Sequence, residues 1–500
     1  MYESKVLLLY PPTQLLPIET ARPDGGLGPL YLAGELLRAG LEVDVLDCSI
    51  GTEEDSLVET FYRREVLPSG LTKIGMTPEA IRNYLAKGDY DLVGIHSNHT
   101  CQTRMAFECA ELVREALPEA KIVAGGVSAR ALASRFLSSG LFDLVVMTEA
   151  EKIILELVLR PWGGIAGTAS LVDGRILYVP PDGRTYYTKL DDLPLPAWEK
   201  LPLAHYAAVS APHGVDMTGK TGVRYAPLMT SRGCPFQCAY CHVSRERFGR
   251  DPLVGDLGDL RLKSVERVMQ EVERLKELGV EKVFLEDDSL LAKKARVIEI
   301  MRRLRGLGLT LADVNGVNLV HLYRGGVPDR NYMGLLGDAG LAQIVFPVES
   351  GSQRILDKYA TGKVNLERMD VISLVAAARF EGLVTPVNMM IGFPDETEAE
   401  MNSSIELARR LVDAGAPYVA FFIPIPFPGS ELYRQAIAGG HLSSDFDPDT
   451  MNYKNGVMER TVVPRERIVE LRDWAFDSVN PAEHVRLRLE QSTGARWKPK

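Results

Sequence analysis

Long apolar runs are absent from this 500-residue chain, and no stretch reaches the roughly 20 residues that cross a bilayer. Stable membrane insertion is therefore not expected. The opening MYESKVLLLYPP lacks a cationic leader and a cleavage site, so its apolar run reads as a buried strand and a cytoplasmic location is expected. Lys/Arg blocks are missing too, and the formal net charge of −10 argues against a surface built for nucleic acid. Cysteine is scarce: six residues in a chain this long make no disulfide framework. No Gly-x-Gly-x-x-Gly follows the first apolar run, which disfavours a dinucleotide fold of the usual kind. Internal repeats and low-complexity tracts are also lacking.

What is present is alternation. Over residues 1–159, short apolar runs (Val6–Tyr10, Val43–Leu46, Leu92–Ile95, Ile122–Ala124, Leu144–Met147) alternate with amphipathic stretches such as Leu30–Arg38 and Met105–Glu115. Nearly continuous apolar strands between helices predict a parallel sheet covered on both faces, a doubly wound Rossmann-like or flavodoxin-like domain. Residues 160–221 are broken by Gly, Pro and Asp and read as a linker with short strands, including a hairpin at Asp173-Gly174. Six further β–α units over residues 222–438 predict a partial (β/α)6 barrel of TIM type, its functional groups at the C-terminal strand ends. Residues 439–500 read as mostly helical.

Three of the six cysteines crowd into eight residues, Cys234-Pro-Phe-Gln-Cys238-Ala-Tyr-Cys241, directly after the first barrel strand. Thiolates are soft ligands suited to iron–sulfur clusters and to zinc. A cubane has four irons to ligate, so three cysteines leave one iron open. Zinc with His242 as fourth ligand is the alternative, but adjacent Cys241 and His242 make awkward partners on one tetrahedral ion, and no second C-x2-C exists.

This C-x3-C-x2-C segment resembles the signature of the radical S-adenosylmethionine (SAM) superfamily. The resemblance implies a [4Fe–4S] cluster on Cys234, Cys238 and Cys241 whose open iron binds SAM. It also implies cleavage to a 5′-deoxyadenosyl radical, with electrons from a donor such as flavodoxin or ferredoxin. Several strand ends carry matching elements. Tyr240 occupies the aromatic position near the adenine, and Glu286 and Asp287 stand where the family meets the SAM amino group. Glu349-Ser350-Gly351-Ser352 resembles the element that meets ribose and carboxylate. Gly392, in Met390–Pro394, and Pro426, in Pro424–Ser430, resemble the adenine-side loops.

The N-terminal domain resembles the cobalamin-binding domain of class B radical SAM enzymes. The residues that carry this are Pro12, Gly28-Pro29, His96-Ser97-Asn98, Gly125-Gly126-Val127 and Glu149, all on the binding edge of the sheet. Thr148 stands where the family usually has glycine. An Asp-x-His-x-x-Gly motif is absent, so the resemblance implies cobalamin held without a histidine of that motif; His96 and His99 read as polar loop residues rather than cobalt ligands. Methylthiotransferases share the two-part plan but keep a second cluster in their first domain. Cys48, Cys101 and Cys109 are spaced poorly for that and read as buried or indifferent.

The two cofactors together imply methylation of an unactivated carbon of a small-molecule or peptide substrate, with the cofactors performing the hard steps. No protein general base is nominated. Cyclisation, ring contraction or another rearrangement with the same cofactors is the alternative outcome, and a non-catalytic cobalamin-binding protein is a rival from another class.

Overall fold

The computed structural model describes residues 4–23, 25–210, 216–244, 254 and 256–491. It divides into two compact units. The first, mainly residues 1–211, is built on a seven-stranded sheet. Its strands are β1 (Lys5–Tyr10), β2 (Glu42–Asp47), β3 (Leu92–His96), β4 (Lys121–Gly125), β5 (Leu144–Val146), β6 (Thr168–Val172) and β7 (Arg175–Val179). The spatial order is 7-6-5-4-3-1-2. Strands β1–β5 run parallel, and β6 and β7 add an antiparallel edge. The parallel part has the flavodoxin-like order, whose switch point lies between β1 and β3.

The sheet forms because its strands are apolar on both faces. Leu7 and Leu9 of β1 point into one core with Val93, Ile95, Ile122 and Ala124. Val6 and Leu8 point into the other with Leu92 and Val123, as a side-chain period of two requires. The helix Thr103–Ala116 covers the first face and Leu27–Arg38 the second. Cys48 and Cys109 lie fully inside the first core, and burial pushes the Cys48 thiol well up; Cys101 is half-buried. The hairpin at Asp173-Gly174 joins this sheet as β6–β7 rather than standing in a free linker, because Thr168 and Ala169 are buried against β5.

The second unit holds parallel strands β8 (Tyr225–Leu228), β9 (Lys282–Leu285), β10 (Thr310–Asp313), β11 (Leu341–Gln343), β12 (Phe346–Glu349), β13 (Val387–Met390) and β14 (Val419–Phe422). Between β11 and β12 the chain breaks register, and a single Gln343–Val384 bridge joins the two groups of strands, giving six β–α repeats around a partial barrel. Helices intervene in turn, several with a readable start: Ser264 caps Val265–Glu277, and Thr397 and Glu400 make a capping box on Glu398–Ala414. The helix Arg465–Val479 packs on β14 and on Glu398–Ala414, and Ala482–Gln491 follows it; residues 439–464, expected within a mostly helical region, are mainly loop with one short 3-10 turn at Pro448–Thr450. Among the described residues no helix is long and apolar enough to cross a membrane.

Candidate functional site

The cysteine loop leaves the C-terminal end of β8 and is pinned from several sides. Asp287, at the end of β9, is fully buried, and its carboxylate accepts from the Thr230 amide (2.9 Å), the Thr230 hydroxyl (2.7 Å) and the Ser231 hydroxyl (2.5 Å). Burial still pushes this carboxyl up, against those three hydrogen bonds. The Thr230 carbonyl accepts from Arg296 (2.8 Å) and from the Lys263 amide (3.0 Å). Lys263 itself is buried beneath the loop, donating to the Met229 carbonyl and to buried Glu271 at 2.6 Å.

Gly233 is the hinge of the loop. Its φ of +83° is left-handed, and an added Cβ would sit 2.3 Å from the Asp259 carbonyl oxygen, so only glycine fits. Its amide donates to Asp288 at 2.9 Å, a carboxyl that burial pushes up to about 6. Further on, Gln237 and Cys238 pair with Ala360 and Thr361, and the Ala239 amide donates to the Tyr359 carbonyl at 2.7 Å. The loop is therefore tied to the barrel by its own hydrogen bonds at several points.

Burial pushes all three thiols up, Cys241 to about 12. A bound metal reverses that preference by deprotonating the thiol outright. Among the described residues, no set of three or more His, Cys, Asp and Glu side chains gathers at one ion-sized point. The donor set, three thiols on a stiff loop, fits a cluster that takes one thiolate per iron.

Facing the loop is Glu349, the last residue of β12. It is a non-glycine residue at φ +71°, a strained conformation that marks a constrained site. One carboxylate oxygen accepts from the Tyr240 hydroxyl (2.9 Å) and from Lys363 Nζ (2.7 Å). Burial pulls the Lys363 ammonium down, but Glu349 and nearby Cys238 outweigh it and hold it above its ordinary range. Lys363 was not legible in the sequence: a lone lysine after Gly362 carries no motif.

The other expected SAM-side residues divide. Glu286 is half-buried at the strand end, its carbonyl taken by Asn315 at 2.9 Å. Asp287 is committed to the loop as described, which makes it a support for the cysteines rather than a group free for a ligand amine. Ser350 and Gly351 pack against the helix Glu398–Ala414: the Ser350 hydroxyl meets that of Ser404 at 3.2 Å, and a Cβ on Gly351 would collide with the Ser403 carbonyl at 2.5 Å. Gly392, at φ +102°, makes room for Ile468, whose Cγ2 an added Cβ would approach to 2.5 Å. Its amide donates to Glu396 (2.6 Å), a buried carboxyl pushed up to about 7 by desolvation. Pro426 is buried in its loop. The ring of Tyr240 lies 6.1 Å from Phe393, which stacks on Tyr359 at 4.2 Å.

In the first unit, the loops after β3 and β4 are stitched into one rim. The Ser97 amide donates to the Gly125 carbonyl (2.7 Å), the Ser97 carbonyl accepts from the Ser128 amide (3.1 Å), and Asn98 Oδ1 accepts from the Val127 amide (3.1 Å). Gly126 has φ +107°, and a Cβ there would come within 2.5 Å of the Ser97 carbonyl. A Cβ on Gly125 would meet nothing within 4 Å, so that backbone borders open space. His96 packs edge-on against Tyr10 at 5.2 Å, and the Tyr10 hydroxyl donates to the Gly26 carbonyl. Pro12 is buried beside Gly75, where a Cβ would lie 3.0 Å from it. Gly28 and Pro29 form the first turn of the Leu27 helix, where proline costs no hydrogen bond. Glu149 is half-buried after β5.

Thr148, standing in place of the family's glycine, is accommodated by a bare neighbour: a Cβ on Gly167 would strike its Cγ2 at 2.5 Å. The hydroxyls of Ser97 and Thr148 are both buried with no hydrogen-bond partner in the structure. The orphaned hydroxyls mark hydrogen bonding left unfinished at these strand ends, and the open backbone at Gly125 gives a ligand a surface to reach, so the rim fits the cofactor implied for it.

A sequence-family model described as the radical SAM superfamily matches residues 228–408, which begin at the end of β8 and include the cysteine loop. The matched part of the barrel is similar to a radical SAM domain. Across most of its length, this chain is similar to two methyltransferases. The cytidylyl-2-hydroxyethylphosphonate methyltransferase of Streptomyces wedmorensis is 27% identical over 487 residues, covering 91% of this chain and 85% of that protein. An uncharacterized methyltransferase of Pyrococcus horikoshii is 29% identical over 460 residues, covering 90% and 85%. Among solved structures, the radical SAM methyltransferase TsrM of Kitasatospora setae, with cobalamin and a [4Fe–4S] cluster bound, aligns with a TM-score of 0.61 at 18% identity, covering 89% of this chain and 80% of that one. That likeness shows a shared fold spanning the radical SAM domain and the Rossmann-like domain before it.

Proposed function

We propose that this chain is a cobalamin-dependent radical SAM methyltransferase that methylates an unactivated carbon of a small-molecule substrate. The observation that carries the reading is the cysteine loop, held by buried Asp287 and Gly233 at the end of β8 within a radical SAM domain. The methyltransferase names of both relatives and the cobalamin in the TsrM structure support the rest.

Cys234, Cys238 and Cys241 would hold the cluster. Tyr240, Glu286, Glu349 and the backbone around Gly392 would border SAM, and Ser97, Asn98, Gly125, Gly126 and Thr148 would border cobalamin. When bound, the cluster and SAM supply a radical able to take hydrogen from an unactivated carbon, and cobalamin supplies the methyl group. The protein's own part is to hold the thiols on a pinned loop, to hold the Glu349 carboxylate against Tyr240 and Lys363, and to exclude water from the apolar wall of Tyr240, Phe393 and Tyr359. Electrons would come from a carrier of the flavodoxin or ferredoxin class.

The test is anaerobic reconstitution followed by incubation with methyl-labelled SAM, cobalamin, a reductant and a small-molecule extract. Label is expected in a small-molecule product, and Cys238→Ala should abolish both iron uptake and product. Formation of 5′-deoxyadenosine with no labelled product would favour cyclisation or rearrangement instead.

A further inference from the structure

We propose that Asn318 tunes the cluster: its side-chain amide donates to the Cys234 sulfur and so raises the potential at which the cluster accepts an electron. This rests on the reading of the cysteine loop as a cluster site. Asn318 is a positioning residue for the electron, acting through Cys234.

The geometry behind this is specific. Asn318 is 3% exposed, so its amide has to be satisfied inside the protein. Its Nδ2 donates to the hydroxyl of fully buried Ser289 at 2.7 Å and lies 3.9 Å from Cys234 Sγ, within reach of an N–H···S hydrogen bond. Ser289 follows Asp287-Asp288, the pair that holds the cysteine loop, so one strand end supports both the thiol and its donor.

The backbone that presents Asn318 is equally fixed. Asp313, at the end of β10, accepts from the Gly316 amide (3.2 Å) and the Val345 amide (2.9 Å). Gly316 turns at φ +90° against Pro347, the Val317 amide donates to the Val345 carbonyl (3.1 Å), and the Asn318 carbonyl accepts from the His321 amide (3.1 Å). The segment therefore crosses the strand ends without freedom to swing the amide away.

The electrostatics give the sign. One electron from a reduced carrier protein adds one negative charge to the cluster, with no bond formed or broken. An N–H dipole aimed at a ligand sulfur favours the more negative state, so it raises the reduction potential. Hydrogen bonds to the sulfurs are among the features by which proteins set cluster potentials.

The experiment uses the full chain, reconstituted anaerobically as wild type, Asn318→Leu and Ser289→Ala. Iron and sulfide content are measured first, then the cluster potential by a redox titration followed by electron paramagnetic resonance, without substrate. Both variants are expected to take up iron as wild type does. Asn318→Leu should shift the potential to more negative values, so that the reduced fraction at a fixed poise falls several-fold. Ser289→Ala, which frees the amide without removing it, should shift it the same way by less. Full iron content with an unchanged or more positive potential in Asn318→Leu overturns the assignment. A wild-type chain that takes up no iron–sulfur cluster overturns the cluster reading as well, and the two failures are told apart by the first measurement.

Discussion

The cysteine loop and the rim of the Rossmann-like domain are both strand-end sites, yet they are built by opposite means. The loop is held by charged and hydroxyl side chains that are buried or half-buried and nearly all paired: Asp287 with Thr230 and Ser231, Lys263 with Glu271, Asp288 with Gly233. The rim is held mostly by backbone: the Ser97 amide donates to the Gly125 carbonyl, the Ser97 carbonyl accepts from the Ser128 amide, and only Asn98 adds a side chain, accepting from the Val127 amide, while two buried hydroxyls stay unpartnered. A polar network fixes positions at an energetic cost that only full pairing offsets. A backbone rim with spare donors leaves its last hydrogen bonds to be made by what binds there. The difference suits a site in which three sulfurs must be aimed at one point, set against one that borders a large ligand through its backbone.

The largest test of this contrast exchanges one glycine in each site. Gly233→Ala forces a Cβ against the Asp259 carbonyl at a left-handed φ, and Gly126→Ala does the same against Ser97. Each should cost about 2–4 kcal/mol locally. The expected outcome is a double dissociation. Gly233→Ala loses most iron uptake and keeps cobalamin binding; Gly126→Ala keeps iron and loses cobalamin affinity by more than tenfold. Iron content and cobalamin absorbance titrations check it, and parallel losses of both in either variant would break the comparison.

How far the sequence anticipated these sites follows from the same physics. Strands β1 to β5 and the six barrel repeats were legible because two-faced burial writes continuous apolar runs, as in Val6–Leu9 and Lys282–Leu285. The hairpin at Asp173-Gly174 was legible as a turn but not as part of the first sheet, since its outer residues Leu171, Val172 and Leu177 are exposed and write no core pattern. In the site, spacing exposed the cysteines and local glycines exposed the loops. It could not show that Asp287 serves the loop, that Ser350 and Gly351 turn toward Ser403 and Ser404, or that Lys363 meets Glu349. Those depend on which way a side chain leaves a strand end, and residues far apart in sequence decide that.

A sharper test of the spare-donor idea is Ser97→Ala. Its hydroxyl is buried and unpartnered in the structure, so removing it lifts a desolvation cost of about 1 kcal/mol. The variant should be as stable as wild type or slightly more so in denaturant titrations without cobalamin, and should bind cobalamin more weakly. A clear loss of stability without the cofactor would mean that the hydroxyl already has a partner, and the contrast with the fully paired loop would fail.

The last test concerns what the polar network costs. Asp313, at the end of β10, is fully buried, and burial pushes its carboxyl up to about 7 despite hydrogen bonds from the amides of Val345 and Gly316. A carboxyl near 3.9 when unfolded and near 7 when folded binds its proton more tightly in the folded state. Its contribution is thus fully present below pH 4 and is lost as pH rises through 7, the reverse of a salt-bridged carboxylate. Asp313→Asn cannot ionise and gives up part of the hydrogen bonding, so it should be less stable than wild type at low pH. That deficit should shrink between pH 4 and 7 and then level off. Denaturant midpoints of the two proteins across that range give the slope directly. A difference that stays flat with pH would show that Asp313 keeps an ordinary carboxylate pKa, and that the network carries its buried charges at no cost in this window.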